Sequence, residues 1–316
     1  MAIILTTPRS FAGCEVAQNL LRQAGHEVRV KQPAKPYQAE ELKELIRGVD
    51  ALIAGLDEVN QEVIEAGAPT LKIIARNGAG YDKVDLAAAK KYGIAVTTTP
   101  AMNSIAVAEL AASLMTGLSR QVHRMDATIR NGGWNRVLGH ELYGKTIGVL
   151  GTGAIGSHLI RICHGFGMNV LAYDLYPKQE LVDRYDVKYT NLDEIYRESD
   201  YLSLHLPASD ETHQMINREA ISQMKSSIYL INTARGDLIN EEDLYDALKE
   251  KRIRGAGLDA FMQEPFTDSR FYTLENVLMT PHSGAYTAES VEQTLVTAAE
   301  EVLRVLAGSK PLHPVG

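Results

Sequence analysis

The feature that most constrains the fold of this chain is a glycine turn set between two apolar runs. The three glycines have the spacing G-x-G-x-x-G and are Gly151, Gly153 and Gly156. The apolar run 146–150 precedes the turn, and the run 169–173 follows a helix-like segment at 158–166. The second run ends at Asp174, 18 residues after the last glycine. Strand, turn, helix, strand and terminal acid in this order predict the first unit of a dinucleotide-binding sheet.

Each glycine of this turn has its own physical reason. The first permits a tight turn, the second lets backbone approach a pyrophosphate, and the third lets helix and strand pack closely. The first residues of the helix, Ala154 and Ile155 among them, then present unpaired N–H groups and the positive end of the helix dipole to the phosphates. An ordinary strand–helix–strand crossover also contains a glycine turn, but it does not explain Asp174. We therefore predict a dinucleotide site.

The choice between NAD and NADP is an electrostatic question. Asp174 can bond the ribose hydroxyls but would repel a 2′-phosphate, and the residues that follow it, 175–177, include no arginine. NAD is therefore the predicted cofactor. Lys178 is the one nearby cation and keeps NADP open as the alternative.

The rest of the chain alternates between short apolar runs and segments with helical spacing. At 316 residues, with 45% hydrophobic and 23% charged, it is long enough for two globular domains. Alternation through residue 98 predicts an α/β domain with a parallel sheet, and the turn 97–100 interrupts it. A long helix is expected from Asn103, with apolar residues as far as Val122 on one face. We expect Trp134, the only tryptophan, to be a packing anchor between elements rather than a ligand contact.

Charge and cysteine content exclude several classes of protein. The net charge is −8 with no basic cluster, which argues against a nucleic-acid surface. No stretch reaches 18 apolar residues and the N-terminus lacks a basic lead, so neither a membrane span nor a signal peptide is predicted. Cys14 and Cys163 are too few for a disulfide framework or a metal site. A reducing cytoplasm is the expected compartment.

Polar side chains follow three predicted strands in the second half of the chain. They are Arg235, Asp259 and His282, and Glu264 lies in the loop just after Asp259. Singly, the arginine could pair with a surface acid, the glutamate could cap a turn, and the histidine could be satisfied in a loop. Because open α/β sheets place their sites at the carboxyl ends of strands, together they predict an active site.

These residue types suit the reduction of a 2-oxo acid. Arg235 can hold the carboxylate bidentately and polarise the ketone. The imidazole of His282 can give a proton to the new alkoxide at neutral pH, and in the reverse direction it would accept the hydroxyl proton. A carboxylate such as Glu264 beside it would stabilise the charged form and fix its tautomer. Asp259 would orient the nicotinamide ring.

The chain resembles the D-isomer-specific 2-hydroxyacid dehydrogenase family, most closely from about residue 71 to 285. The motifs that carry the resemblance are 76–82, 100–109, 151–156 with Asp174, 205–207, 232–236, 257–261 with Glu264 and Pro265, and 280–285. The resemblance implies an α/β fold of two doubly wound parallel-sheet domains. A Rossmann NAD-binding domain, 100–286, would be inserted into a discontinuous flavodoxin-like substrate domain, 1–99 and 287–316. The active site would lie in the cleft between them.

The resemblance also implies roles for individual residues. Arg235 would anchor the substrate, His282 would be the acid/base, and Glu264 its partner. The implied cofactor-binding residues are Gly151, Gly153, Ala154, Ile155, Gly156, Asp174, Leu206, Pro207, Thr212, Thr233, Ala234, Arg235, Asp259, His282 and Gly284. The implied substrate-binding residues are Asn77, Gly78, Ala79, Gly80 and Arg235. The long helix after Asn103 is where such relatives form homodimers.

The expected activity is the NAD-dependent interconversion of a small 2-oxo acid and its (R)-2-hydroxy acid. The handedness follows from the resemblance alone. Candidate substrates are 3-phosphoglycerate and glyoxylate or hydroxypyruvate, and Arg9 or Arg76 could receive a phosphate. We expect no C-terminal regulatory domain. The alternative is a non-catalytic NAD(H)-sensing protein on the same fold.

Overall fold

The computed structural model describes all 316 residues, and these form two compact units. One unit comprises Met1–Asn103 with Ala285–Gly316, and the other comprises Ser104–Gly284. Each is an α/β unit built on a single parallel sheet. The predicted fold class is thereby confirmed.

Twelve strands and twelve α-helices make up most of the two units. Through residue 103 they are β1 (Ile3–Thr6), α1 (Glu15–Gln23), β2 (Glu27–Val30), α2 (Ala39–Leu45), β3 (Ala51–Ala54), α3 (Gln61–Gly67), β4 (Ile73–Arg76), α4 (Leu86–Lys91) and β5 (Ala95–Thr97). After it they are α5 (Ser104–Arg120), α6 (Val122–Arg130), β6 (Thr146–Leu150), α7 (Ala154–Gly165), β7 (Asn169–Tyr173), α8 (Gln179–Tyr185), β8 (Lys188–Tyr189), α9 (Leu192–Glu198), β9 (Tyr201–Leu204), α10 (Arg218–Gln223), β10 (Tyr229–Asn232), α11 (Glu241–Lys249), β11 (Gly255–Leu258), β12 (Val277–Met279) and α12 (Ala288–Leu306).

The sheet of the first unit has the strand order β2-β1-β3-β4-β5, with every pair parallel. Its central strands, β1, β3 and β4, are almost wholly buried because helices cover both faces. On one face, Ile4 and Ile53 pack against α12 through Leu295 and Val302. The C-terminal segment then runs beside β5, where the Thr98 N–H donates to the His313 carbonyl (3.1 Å).

Glu301 of α12 holds the start of this C-terminal segment. Its side chain is 2% exposed, and both carboxylate oxygens accept from the backbone N–H of Leu312, at 3.1 and 3.0 Å. A buried carboxylate needs hydrogen-bond donors, and the segment supplies one.

The sheet of the second unit has the order β12-β11-β10-β9-β6-β7-β8, again entirely parallel. The chain runs outward from β6 in one direction through β7 and β8, and in the other through β9 to β12. The strand order therefore reverses at β6, which is where ligands bind in open α/β sheets. All carboxyl ends lie at one edge, since all strands are parallel.

The long helix expected from Asn103 is interrupted, contrary to the sequence prediction. Gln121 has the left-handed φ of 53°, so α5 ends at Arg120 and α6 begins at Val122. Leu114 and Leu118 are buried in the unit's core, whereas Val122 is 55% exposed. The apolar spacing continued across the break and concealed it.

The prediction that Trp134 packs between elements is wrong. Its side chain is 84% exposed, and α6, just before it, buries no residue. Nothing within this unit therefore lies over the indole ring. No helix of the chain has both the length and the apolar character that a membrane span requires.

Candidate active site

Six loops follow strands at the carboxyl edge of the second sheet, and they carry most of the predicted site residues. β6, β7 and β9 lead to Gly151, Asp174 and His205, while β10, β11 and β12 lead toward Arg235, Asp259 and His282. The first three loops surround the strand-order reversal. The edge therefore has one half with the glycine turn and Asp174, and another half with Arg235, Asp259 and His282.

The glycine turn is required by close backbone approaches. Gly151 has φ of +94°, and a Cβ there would lie 2.7 Å from the carbonyl oxygen of His205. A Cβ on Gly156 would lie 2.0 Å from the Gly151 oxygen. Gly153, which precedes α7, faces open space with no atom within 4 Å of such a Cβ and provides no side-chain cap. The first N–H groups of α7, from Ala154 and Ile155 onward, thus border an open surface.

Asp174 is held by three donors at the end of β7. Its Oδ2 accepts from the N–H (2.6 Å) and hydroxyl (3.0 Å) of Thr152, and its Oδ1 accepts from the Tyr176 N–H (2.8 Å). Burial opposes ionisation, but these hydrogen bonds and the charge of Lys178 outweigh it, and the pKa of Asp174 is lowered. The group is an anion at neutral pH and fits a ribose hydroxyl, not a 2′-phosphate.

These observations fit an NAD cofactor. Open backbone N–H groups at the start of a twelve-residue helix suit a pyrophosphate. An ionised carboxylate lies at the end of the neighbouring strand, where the adenosine ribose belongs.

The loop after β9 contains Leu206, Pro207 and Thr212. The Thr212 hydroxyl donates to the Pro207 carbonyl (2.7 Å) and accepts from the Ser209 N–H (2.9 Å), so it holds the loop in shape. His205 bonds the Ser203 hydroxyl at 2.9 Å, and burial lowers its pKa to about 4. It is therefore neutral at physiological pH.

The loop after β10 is fixed by Asn232, which sequence reasoning missed as a positioning residue. Its side chain accepts from the Ala234 N–H (3.0 Å) and donates to the Arg235 carbonyl (2.8 Å). A Cβ on Gly236 would lie 1.9 Å from the backbone carbon of Phe261, so the two loops touch here. The guanidinium of Arg235 bonds the Ala234 carbonyl (2.8 Å), and the hydroxyl of Thr233 is buried without a partner.

Asp259 fastens the loop that carries His282. Its carboxylate is 1% exposed and accepts from the Thr280 hydroxyl (2.5 Å) and from the N–H groups of Ser283 (2.7 Å) and Gly284 (2.8 Å). Three bonds to one loop hold His282 at φ of 50°, in the left-handed region. The carboxylate thus determines where the imidazole lies.

The imidazole of His282 pairs directly with Glu264. Nδ1 lies 2.8 and 2.9 Å from the two carboxylate oxygens, and Oε1 also accepts from the Phe261 N–H (3.1 Å). Burial raises the pKa of the Glu264 carboxyl, but the hydrogen bond and charge of His282, with help from Arg235, outweigh it, and the pKa is lowered. Glu264 is thus a carboxylate that engages Nδ1 and leaves Nε2 for proton transfer.

The predicted substrate loop lies in the first unit, at the end of β4. The Asn77 N–H donates to Ala54 (2.9 Å), and Gly78, with φ of +137°, exchanges hydrogen bonds with Thr99 (2.9 and 3.0 Å). The guanidinium of Arg76 underlies Gly78 and donates to the Asn77 carbonyl. Ala79 is exposed and Gly80 partly so. The loop presents backbone rather than charged side chains.

Sequence reasoning also missed Thr152 and Tyr189, which support Asp174. Thr152 lies between the first two glycines, at a position that the glycine motif leaves unspecified. The signal that could have revealed Asn232 is its position two residues before Ala234, since an asparagine side chain commonly bonds backbone two residues on.

Comparison with known families gives a match over more than half of the chain. Residues 112–284 match the model described as "D-isomer specific 2-hydroxyacid dehydrogenase, NAD binding domain". This segment contains the glycine turn and all of Arg235, Glu264 and His282. NAD is accordingly the cofactor of this domain.

Individual proteins extend the likeness. D-3-phosphoglycerate dehydrogenase of Methanocaldococcus jannaschii is 41% identical over 273 residues, 85% of this chain and 52% of its own length. Hydroxypyruvate reductase of Thermotoga maritima is 40% identical over 273 residues, 84% of this chain and 88% of its own. The chain thus spans about half the length of the former and most of the latter.

A solved structure covers the whole chain. The TT0316 protein from Thermus thermophilus superimposes with a TM-score of 0.91 at 34% identity, covering 100% of both chains. Family model, relatives and structure agree with the resemblance noted from the motifs. This chain belongs to the D-isomer-specific 2-hydroxyacid dehydrogenase family.

Proposed function

We propose that this protein is an NAD-dependent dehydrogenase that interconverts a small 2-oxo acid and its (R)-2-hydroxy acid. The observation that carries the proposal is the contact between His282 Nδ1 and the Glu264 carboxylate, at 2.8 and 2.9 Å. Arg235 lies near enough to lower the pKa of the same carboxyl. The acid/base His282, its orienting partner Glu264 and the cation Arg235 thus form one group at the carboxyl edge of the second sheet.

Each residue performs a defined part of the reaction. Arg235 binds the substrate carboxylate and polarises the carbonyl. His282, protonated and stabilised by Glu264, donates its Nε2 proton to the carbonyl oxygen during reduction, and accepts it back during oxidation. The nicotinamide supplies or takes the hydride when bound.

For the substrate we propose glyoxylate or hydroxypyruvate over a phosphorylated acid. Of the two arginines considered as phosphate receptors, Arg76 is 7% exposed and its guanidinium bonds the Asn77 carbonyl. Arg9 is exposed, with one long hydrogen bond to Ala34 (3.4 Å). A single exposed arginine is a weak phosphate site.

A panel of 2-oxo acids with NADH and NADPH in parallel tests the proposal. We expect NADH oxidation with glyoxylate or hydroxypyruvate and slower oxidation with 3-phosphohydroxypyruvate. Comparable rates with the phosphorylated acid, lost in Arg9→Ala, would overturn the substrate assignment. If no 2-oxo acid of the panel supports NADH or NADPH oxidation while NADH still binds normally, an NAD(H)-sensing protein would be favoured.

We also propose that two copies associate through α6 and the loop after it. Five large apolar side chains of this segment are more than half exposed: Val122, Ile129, Trp134, Leu138 and Tyr143. Exposed apolar side chains concentrated in one segment favour an interaction surface, and a second copy would cover them. A monomer by light scattering in wild type, or a dimer unaffected by replacing both Trp134 and Leu138 with glutamate, would contradict this.

A further inference from the structure

Behind the glycine turn runs a chain of hydrogen bonds in which every donor points toward Asp174. The backbone N–H of Lys178 donates to the Tyr189 hydroxyl (3.0 Å), which donates to the hydroxyl of Thr152 (3.0 Å). The Thr152 hydroxyl in turn donates to Oδ2 of Asp174 (3.0 Å). Each hydroxyl both accepts and donates, so neither is free to rotate. Such directed chains strengthen their members.

This chain decides which oxygen of Asp174 faces the cofactor. Oδ2 accepts two hydrogen bonds from Thr152, which fills its two lone pairs. Oδ1 accepts one, from the Tyr176 N–H, and has one lone pair left. Oδ1 is therefore the oxygen that could accept a hydrogen bond from a ribose hydroxyl, and the chain holds the carboxylate in one orientation.

Lys178, the cation that kept NADP open as the alternative, makes a hydrogen bond to α7. The ammonium of Lys178 donates to the Ser157 hydroxyl (3.0 Å). The Ser157 hydroxyl itself lies 2.7 Å from the Gly153 carbonyl. Lys178 is thus tethered to the first turn of α7, and a 2′-phosphate would have to detach it.

We infer that Tyr189, acting through Thr152, is a positioning residue that fixes the Asp174 carboxylate and so sets the preference for NADH over NADPH. Tyr189 lies on β8, at the edge of the sheet and outside the glycine motif. It is not one of the cofactor-binding residues named above. Without its hydroxyl, the Thr152 hydroxyl loses its acceptor role and can rotate away from Asp174. A carboxylate held only by the N–H groups of Thr152 and Tyr176 is less firmly oriented, so it would bind the ribose less well and repel a 2′-phosphate less.

Direct nucleotide binding tests the inference, which depends on the proposed function only through the cofactor. The dissociation constants of NADH and NADPH would be measured by nucleotide fluorescence in wild type and Tyr189→Phe. Removal of one hydrogen bond of ordinary strength changes an equilibrium constant about three- to tenfold. We expect the ratio of the NADPH to the NADH dissociation constant to fall by that factor. An unchanged ratio, whether both constants stay constant or shift together, overturns the inference.

Further variants separate positioning from general damage. Tyr185→Phe is the matched control, because the Tyr185 hydroxyl makes no hydrogen bond and its ring contacts His164. Thr152→Val should reduce the ratio as Tyr189→Phe does, while Thr152→Ser, which keeps the hydroxyl, should retain it. The double variant should add nothing beyond either single change, since both break the same chain. Additive effects would contradict a single hydrogen-bond chain. If Tyr189→Phe fails to fold, the Thr152 variants test the same inference.

Discussion

Nδ1 of His282 lies within 2.9 Å of both carboxylate oxygens of Glu264, although the two residues occupy different loops. The loops after β11 and β12 bring them together, and Asp259 fastens the second loop through Ser283 and Gly284. The pair therefore depends on sheet geometry rather than on local sequence. It is the relationship from which the proposed chemistry follows.

Replacing Glu264 by glutamine should shift the pH dependence of reduction. Because its pKa is lowered, Glu264 is ionised throughout the neutral range, and its stabilising effect persists until the pH falls through that lowered value. Glutamine keeps a hydrogen bond but removes the charge that favours the imidazolium. The rate–pH curve of the variant should therefore lie below that of wild type through the neutral range and approach it only at acid pH, where Glu264 itself becomes protonated. A curve identical to that of wild type would show that the carboxylate charge does not matter.

Asp259→Asn should disturb the His282 loop. The amide puts a donor where the carboxylate now accepts from three donors, so the loop cannot keep all its bonds. We expect kcat to fall about 10²-fold, as for a misplaced catalytic group. Asp183→Asn, at an exposed carboxylate that accepts from Gln179 of the same helix, is the control and should retain wild-type kcat. Retention of kcat in Asp259→Asn as well would contradict the positioning role.

Gly236→Ala should abolish activity by forcing two loops apart. The added Cβ would fall 1.9 Å from the backbone of Phe261, which cannot move aside as a flexible side chain would. Gly165→Ala is the control, since its Cβ would meet nothing within 4 Å. Activity and melting temperature of both variants measure the difference. An active, stable Gly236→Ala protein would refute the close approach of these loops.

Glu301→Ala should destabilise the first unit. It leaves the Leu312 N–H without its buried acceptor, at a cost of about 1–3 kcal/mol in the free energy of unfolding. Glu300→Ala, at the exposed neighbouring position, should change stability little. Urea unfolding of both variants checks the prediction, and equal midpoints would contradict it.

The sequence was sufficient for the fold class, the family and the cofactor because each depends on local patterns. The glycine spacing and Asp174 lie within one strand–helix–strand unit, and alternating apolar runs indicate parallel sheets. The break between α5 and α6 at Gln121 was not predicted because a single left-handed residue leaves the apolar spacing unchanged. The exposure of Trp134 was not predicted because the sequence alone does not distinguish an exposed tryptophan from a packed one. Tyr189 was out of reach, since its contact with Thr152 joins residues 37 positions apart.

The most direct test of the account is the turnover of His282→Ala together with its NADH affinity. We predict that kcat for glyoxylate or hydroxypyruvate falls by about 10²- to 10⁴-fold, the usual contribution of a general acid. The dissociation constant for NADH should stay close to that of wild type, because Asp174 and the glycine turn are untouched. Turnover near the wild-type value in a variant that binds NADH normally would contradict the assignment of His282 as the proton donor.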